Sequence, residues 1–229
     1  MEIQILHLIE GARKATGLVV VIDVFRAFST ACYAFSNGIE RIYPVAETDN
    51  ALVMKASDPS LILIGETDEQ KPEGFDFGNS PSHILNSDFR NRIMVHRTSS
   101  GTQGIVNATS ACEIITGSFV NAQAIVKYIR KTNPANVSLV CMGYACEYPT
   151  DEDTFCAEYI KNELEGGHSD FGAMKQVIRN GSGARFFLPG SQGWAPSSDF
   201  SLCLDLNRFD FVLKIEKDGD KIFLNKIEV

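Results

Sequence analysis

The feature that most constrains this chain is the unbroken run Val-Val-Val-Ile at residues 19–22, closed by Asp23. β-branched residues in succession, without alternation, make a strand covered on both faces, as in a sheet sandwiched between helices. Asp23 then falls at a strand end, where α/β proteins place their ligands. A short turn carrying Arg26 leads into Ser29, Thr30, Tyr33, Ala34 and Phe35, and Asn37-Gly38 supplies a left-handed helix stop. Two readings of the acid and the arginine stand side by side. Either Asp23 caps the helix and Arg26 pairs with it, or both belong to a ligand site.

A second strand, turn and helix unit follows the same plan. The buried run IMVH at residues 93–96 enters a polar turn of Arg97, Thr98, Ser99, Ser100, Gly101 and Thr102, with a helix predicted from near Gln103. Further strands are predicted at residues 3–9, 40–46, 61–65, 113–116 and 137–143. Helices are predicted from Thr48 or Asp49, after the turn at 117–121, from a Thr150 cap with Asp151, Glu152 and Asp153 in its first turn to Gly166, and over 173–180. Residues 10–17 and the acid-rich 65–81 read as loops, and 185–188 as a short strand. The loop at 190–199 holds Trp194, read as packing or a lid hinge. Two β-rich segments flank Asp218-Gly219, a hairpin signal. The expected fold is a single α/β domain over residues 1–229, three-layer α/β/α around a largely parallel or mixed sheet, with a C-terminal β-hairpin. Parallel strands are expected to gather the loops on one edge.

Composition narrows the function classes. With 44% hydrophobic residues, 22% charged residues and a net charge of −8, the chain reads as a globular protein and argues against a general nucleic-acid binder. No apolar run approaches the roughly 20 residues of a membrane span, and the strand-like start is unlike a leader peptide, so a cytoplasmic location is expected. The six cysteines form no C-x-x-C pair and are read as reduced core residues. The four histidines lack metal-ligand spacing. A homodimer is left open.

The loops offer carboxylates, arginines and a small-residue turn at a helix start, a set suited to metal-assisted chemistry on an anion. Ser100, Gly101 and Thr102 can aim N–H groups and hydroxyls at phosphate oxygens, Arg26 and Arg97 can each hold two more, and carboxylates suit Mg2+. Each feature also has a structural reading: the turn as a helix cap, the acids at 151–153 as dipole partners, those of 65–81 as a solvated face. The D-x-D pair, a cysteine with arginine six positions on and the P-loop pattern are all missing, which excludes those phosphoryl-transfer designs.

Five blocks in order carry a resemblance: VIDVFRAFST at 21–30, GFDFGNSP at 74–81, SGT at 100–102, GSFVNAQAI at 117–125 and DEDTFCAEYI at 151–160. On these the chain resembles the 2-phosphosulfolactate phosphatases, Mg2+-dependent enzymes associated with coenzyme M biosynthesis. The resemblance implies hydrolysis of a phosphate ester on a small sulfonated or carboxylated acid. Asp23, Glu66, Asp76, Glu152 and Asp153 are then expected at the metal, with Asp23, Arg26 and Glu66 catalytic. Arg26, Arg97, Thr98, Ser100, Gly101 and Thr102 are expected to hold phosphate, and Asn79 and Ser80 the rest of the substrate. The chain departs from the family pattern at Thr67, in place of arginine, and at Ser100, in place of asparagine. The alternative function is a catalytically silent anion-binding protein of the same fold; a structural interaction subunit is a third.

Overall fold

In a computed structural model, which describes residues 1–219 and 221–229, Val19, Val20, Val21 and Ile22 are all fully buried, as a strand covered on both faces requires. In chain order the strands are β1 (Glu2–His7), β2 (Gly17–Ile22), β3 (Arg41–Val45), β4 (Ile62–Gly65), β5 (Phe77–Gly78), β6 (Ile93–Arg97), β7 (Ala111–Gly117), β8 (Asn136–Cys141), β9 (Phe211–Asp218) and β10 (Lys221–Glu228). The helices are α1 (Leu8–Lys14), α2 (Ala27–Ser36), α3 (Thr48–Ser57), α4 (Pro81–Ile84), α5 (Gly101–Asn107), α6 (Ala122–Thr132), α7 (Asp151–Glu165), α8 (Phe171–Asn180) and α9 (Ser197–Cys203).

The strands form one sheet in the order β1-β8-β2-β7-β9-β10-β3-β6-β4-β5. The first four are mutually parallel, and so are the last four. Between them lies the C-terminal hairpin, antiparallel within itself and to both neighbours. Direction therefore reverses three times across the middle, and the two parallel halves run in opposite senses. The expectation that parallel strands gather every loop on one edge fails for this reason.

Crossing helices bring the two turns together instead. Leaving β2, α2 packs Tyr33 and Phe35 against Ile42, Ile64 and Met94 of the opposite half. Leaving β6, α5 packs Ile105, and the residue just past its end, Ala108, against Val19 and Val21 of the first half. Each unit hands its helix across, so the turn after β2 meets the turn after β6. Gly104 marks how close this approach is, because a Cβ there would lie 2.4 Å from Val21 Cγ1 and 2.5 Å from Met142 Sδ. Gly104→Ala is expected to lose about 1–3 kcal/mol through overpacking, read as a lower urea midpoint.

Local signals account for most boundaries. Gly38 with φ 96° follows α2, Asn133 with φ 46° ends α6 just before Pro134, and Gly166 with φ 78° ends α7. Three sequence expectations are corrected. Residues 8–14 are helical, where 8–9 were expected as the end of a strand and 10–14 as loop, because Gly11 and Ala12 dock tightly, a Cβ at Gly11 falling 2.9 Å from Leu6 Cβ. Residues 185–188 form no strand; a 3-10 helix over Ser182–Phe187 buries Phe186 against Phe25 and Phe200. Thr150 stands at the N-cap of α7, but its hydroxyl makes no capping bond. Among the cysteines, Cys32, Cys141, Cys156 and Cys203 are core residues, whereas Cys112 is exposed and Cys146 half-buried. No described helix is long and apolar enough to cross a membrane.

Candidate active site

Where the turns meet, a cavity of about 230 Å³ opens between five chain segments and Asn79. The β2 turn contributes Asp23, Phe25 and Arg26; the segment after β4 contributes Glu66, Asp68 and Glu69; the β6 turn contributes Thr98, Ser99 and Ser100. Residues 143–147 line it with Tyr144 and Glu147, and the 3-10 helix contributes Arg185. Two tight turns at its wall hold non-glycine residues at positive φ, Asp68 (50°) with Glu69 (65°), and Ala145 (50°) with Cys146 (60°). Such conformations cost on the order of 1 kcal/mol each or more and concentrate at functional sites.

Asp23 is buried, and its Oδ1 accepts the Ala27 N–H at 3.1 Å while Oδ2 accepts no hydrogen bond from the described residues. It thus caps α2 with one oxygen and leaves the other for the cavity. Its partner is not Arg26. The Arg26 Nη1 donates to Asp199 Oδ2 at 2.8 Å and to the Trp194 carbonyl at 2.7 Å, both groups of the ion pair being buried. Arg26 Nη2 and Nε have no partner among the described residues, on a side chain that lines the cavity. Asp199 also accepts the Ser80 hydroxyl and the Ser82 N–H, each at 3.0 Å. Ser80 is thereby drawn into this buried knot rather than into the cavity.

Glu66 accepts the Ser99 N–H (2.9 Å) on Oε1 and the Glu69 N–H (3.0 Å) on Oε2, tying both turns together. Arg97 turns toward the Glu66 carbonyl and the Ser99 hydroxyl and does not line the cavity. Of the phosphate-turn residues, Thr98 and Ser100 reach the cavity, Gly101 and Thr102 do not, and the Thr102 N–H is spent on Thr98 Oγ1. Asp153 divides its oxygens between the N–H groups of Val24 (2.8 Å) and Gly143 (2.9 Å), so it aligns two cavity loops from behind. Glu152 is buried and accepts the Ser182 hydroxyl, again outside the lining. Asp76 is elsewhere, bonded to the Leu63 N–H and Lys55.

A family-level sequence profile described as 2-phosphosulpholactate phosphatase matches residues 3–218. The chain belongs to the 2-phosphosulpholactate phosphatase family. A probable 2-phosphosulfolactate phosphatase of Bacillus subtilis is 31% identical over 205 residues, 88% of each chain. That of Caldanaerobacter subterraneus is 28% identical over 217 residues, 86% of this chain and 87% of the relative, and that of Thermotoga petrophila 40% over 152 residues, 65% of each. Within this family frame, Thr67 bridges to Gln70 beside Glu66, and Ser100 is a cavity-wall residue.

Charge dominates the site. Five carboxylates line the cavity, Asp23, Glu66, Asp68, Glu69 and Glu147, against the two arginines. Burial, reinforced by the Glu66 and Glu152 carboxylates and opposed by the Ala27 N–H, raises the Asp23 pKa to about 7. Burial likewise raises Glu152, and raises Asp153 well above the usual range with Glu152 and Asp23 adding to it. An anionic substrate entering so acidic a cavity needs added positive charge. Among the described residues no three His, Cys, Asp or Glu side chains form a ready-made metal cage. Mg2+ does not require one, since it keeps several waters and uses one or two carboxylates plus phosphate oxygens. The free Oδ2 of Asp23, with Glu66 across the cavity, fits that demand.

Asn79 is held by His96, whose Nε2 lies 3.2 Å from the amide Oδ1. Burial pushes the His96 pKa down to about 3, so the ring is neutral and Nε2–H donates, leaving the Asn79 NH2 as a donor at the cavity wall. Because the folded pKa lies below the ordinary 6.5, the unfolded chain takes the proton first as pH falls. The His96 contribution is intact above pH 6.5 and is lost toward pH 3. Relative to His96→Gln, wild-type stability in urea is expected to drop by up to about 1.4 kcal/mol per pH unit in that window.

Proposed function

We propose that this protein is a Mg2+-dependent phosphatase that hydrolyses the phosphate ester of 2-phosphosulfolactate or a related small phosphorylated acid. The observation that carries the reading is the acidic cavity at the meeting of two strand-turn-helix units, with one oxygen of Asp23 left uncommitted. Asp23 and Glu66 would hold the ion. When bound, Mg2+ supplies the positive charge that offsets the phosphoryl oxygens and makes water a better nucleophile.

The chain's own groups do the positioning. The Asn79 NH2, the Ser100 hydroxyl and the free nitrogens of Arg26 supply donors to phosphoryl oxygens. Asp199 and the Trp194 carbonyl fix Arg26 in place, so its donors are set before substrate arrives. Phe25 and Tyr144 wall the cavity with aromatic surface that limits water. Glu66, through the Ser99 and Glu69 N–H groups, keeps the acidic turn and the hydroxyl turn in register.

The test is inorganic phosphate release from 2-phosphosulfolactate with added Mg2+ and after chelation. Release that depends on the metal is expected. A failure to release phosphate from any of a panel of small phosphorylated acids, together with metal-independent binding of them, would replace the enzyme by an anion-binding protein.

A further inference from the structure

Arg185 is the cavity arginine that the phosphate chemistry leaves unused. Unlike Arg26, it is not fixed by a fully buried acid. Its Nε meets Glu69 Oε1 at 3.2 Å, its Nη2 donates to the Phe25 carbonyl at 3.2 Å, and its Nη1 has no partner among the described residues. Both members of the Arg185–Glu69 pair keep about a fifth of their side-chain surface open, 18% and 20%. The guanidinium lies 5.5 Å from the Tyr144 ring centroid, 5.3 Å from that of Phe186 and 6.0 Å from that of Phe25. Aromatic walls of this kind keep a planar cation poorly hydrated and aimed, the setting in which arginine takes a flat or tripodal oxyanion through two parallel N–H bonds.

Glu69 shows where such an oxyanion sits. Its carboxylate touches Arg185 through a single nitrogen, from the tip of a two-residue turn with both residues at positive φ. Its backbone N–H is held separately by Glu66. The side chain can therefore swing away without disturbing the hydrogen bond to Glu66. Glu69 also gains by leaving, since it adds negative charge to a cavity already rich in carboxylates.

Resting on the phosphatase reading, we propose that Arg185 is the specificity-determining residue of the site. It binds the second acid group of the substrate, sulfonate or carboxylate, and Glu69 occupies that position until substrate displaces it. The site then selects small phosphate esters carrying another anion over simple phosphomonoesters.

The experiment measures kcat and KM with Mg2+ for 2-phosphosulfolactate, 2-phospholactate and glycerol 2-phosphate, in wild type, Arg185→Gln, Arg185→Lys and Glu69→Gln. Losing a charge-assisted fork is expected to raise KM about 10- to 100-fold in Arg185→Gln for 2-phosphosulfolactate, which carries both candidate groups. KM for glycerol 2-phosphate is expected to move less than about threefold, Arg185→Lys to recover part of the loss, and Glu69→Gln to lower KM for the acidic substrates. A loss confined to 2-phosphosulfolactate identifies the sulfonate as the group that Arg185 reads, and an equal loss for both acidic substrates identifies the carboxylate they share. Equal KM changes for all three substrates, no change, or a Glu69→Gln variant that binds acidic substrates more weakly would overturn the assignment. Wild-type turnover tests the phosphatase reading separately. If it is absent, calorimetric binding of sulfolactate decides for Arg185: loss of binding in Arg185→Gln, with unchanged circular dichroism and melting, supports it, and retained affinity sinks it.

Discussion

Replacing Asp23 with asparagine is expected to abolish phosphate release while making the metal-free protein more stable at pH 8. The two effects share a cause. In the folded chain the Asp23 pKa stands near 7 against an ordinary 3.8, so folding favours its protonated form. The associated stability is fully present below pH 3.8 and is lost as pH rises through 7. At about 1.4 kcal/mol per unit, the ionised carboxylate costs the apo protein up to about 4 kcal/mol at pH 8, shared with the neighbouring acids. The asparagine side chain cannot ionise and still offers an oxygen to the Ala27 N–H, so part of that cost disappears. Urea titrations with chelator at pH 8 should show the variant unfolding later than wild type, with the gap closing by pH 4. Added Mg2+ should stabilise wild type and not the variant, and its affinity for wild type should fall by up to about tenfold per unit below pH 7 as protons compete. A variant that is active, or that loses stability at pH 8, would remove Asp23 from the metal.

Asp199→Ala is expected to be among the most destabilising single changes in the chain. Asp199 is fully buried and satisfies Arg26, the Ser80 hydroxyl and the Ser82 N–H at once. Removing it strands a buried guanidinium and two donors, a situation that costs about 3–5 kcal/mol. For a chain of this size that corresponds to a melting temperature lower by roughly 6–20 °C. Activity should fall with it, because Arg26 loses its anchor beside the cavity. Pairing Asp199→Leu with Arg26→Met should recover much of the stability and none of the activity, since a buried ion pair contributes more to placement than to net stability. A loss under about 1 kcal/mol in Asp199→Ala would show that the knot does not hold the β2 turn.

What was legible in the sequence lay within single elements. The uninterrupted 19–22 run named a doubly covered strand and put Asp23 at its end, and the 93–96 run did the same for the turn that carries Thr98 and Ser100 to the cavity. Stop residues and the C-terminal hairpin were equally readable, because helix ends and tight turns are decided by the φ that one or two residues must adopt. The resemblance added Glu66 and Asn79, which line the cavity, together with Asp76, which does not.

Arg185 and Glu69 carried no local signal. Arg185 sat in an aromatic stretch that reads as strand, and its meaning comes from a turn over a hundred residues earlier. The partner of Arg26 was hidden in the same way, lying 173 positions downstream rather than in the shared turn with Asp23. By itself the sequence determined which strands are buried, where they end and which polar residues stand at those ends, since backbone conformation and hydrophobic pattern act over a few residues. Only the tertiary structure decided that the halves of the sheet oppose one another, that α2 and α5 cross between them, and which charges then face each other. Ion pairing and pKa shifts depend on distance and burial in space, and the chain order of the residues encodes neither.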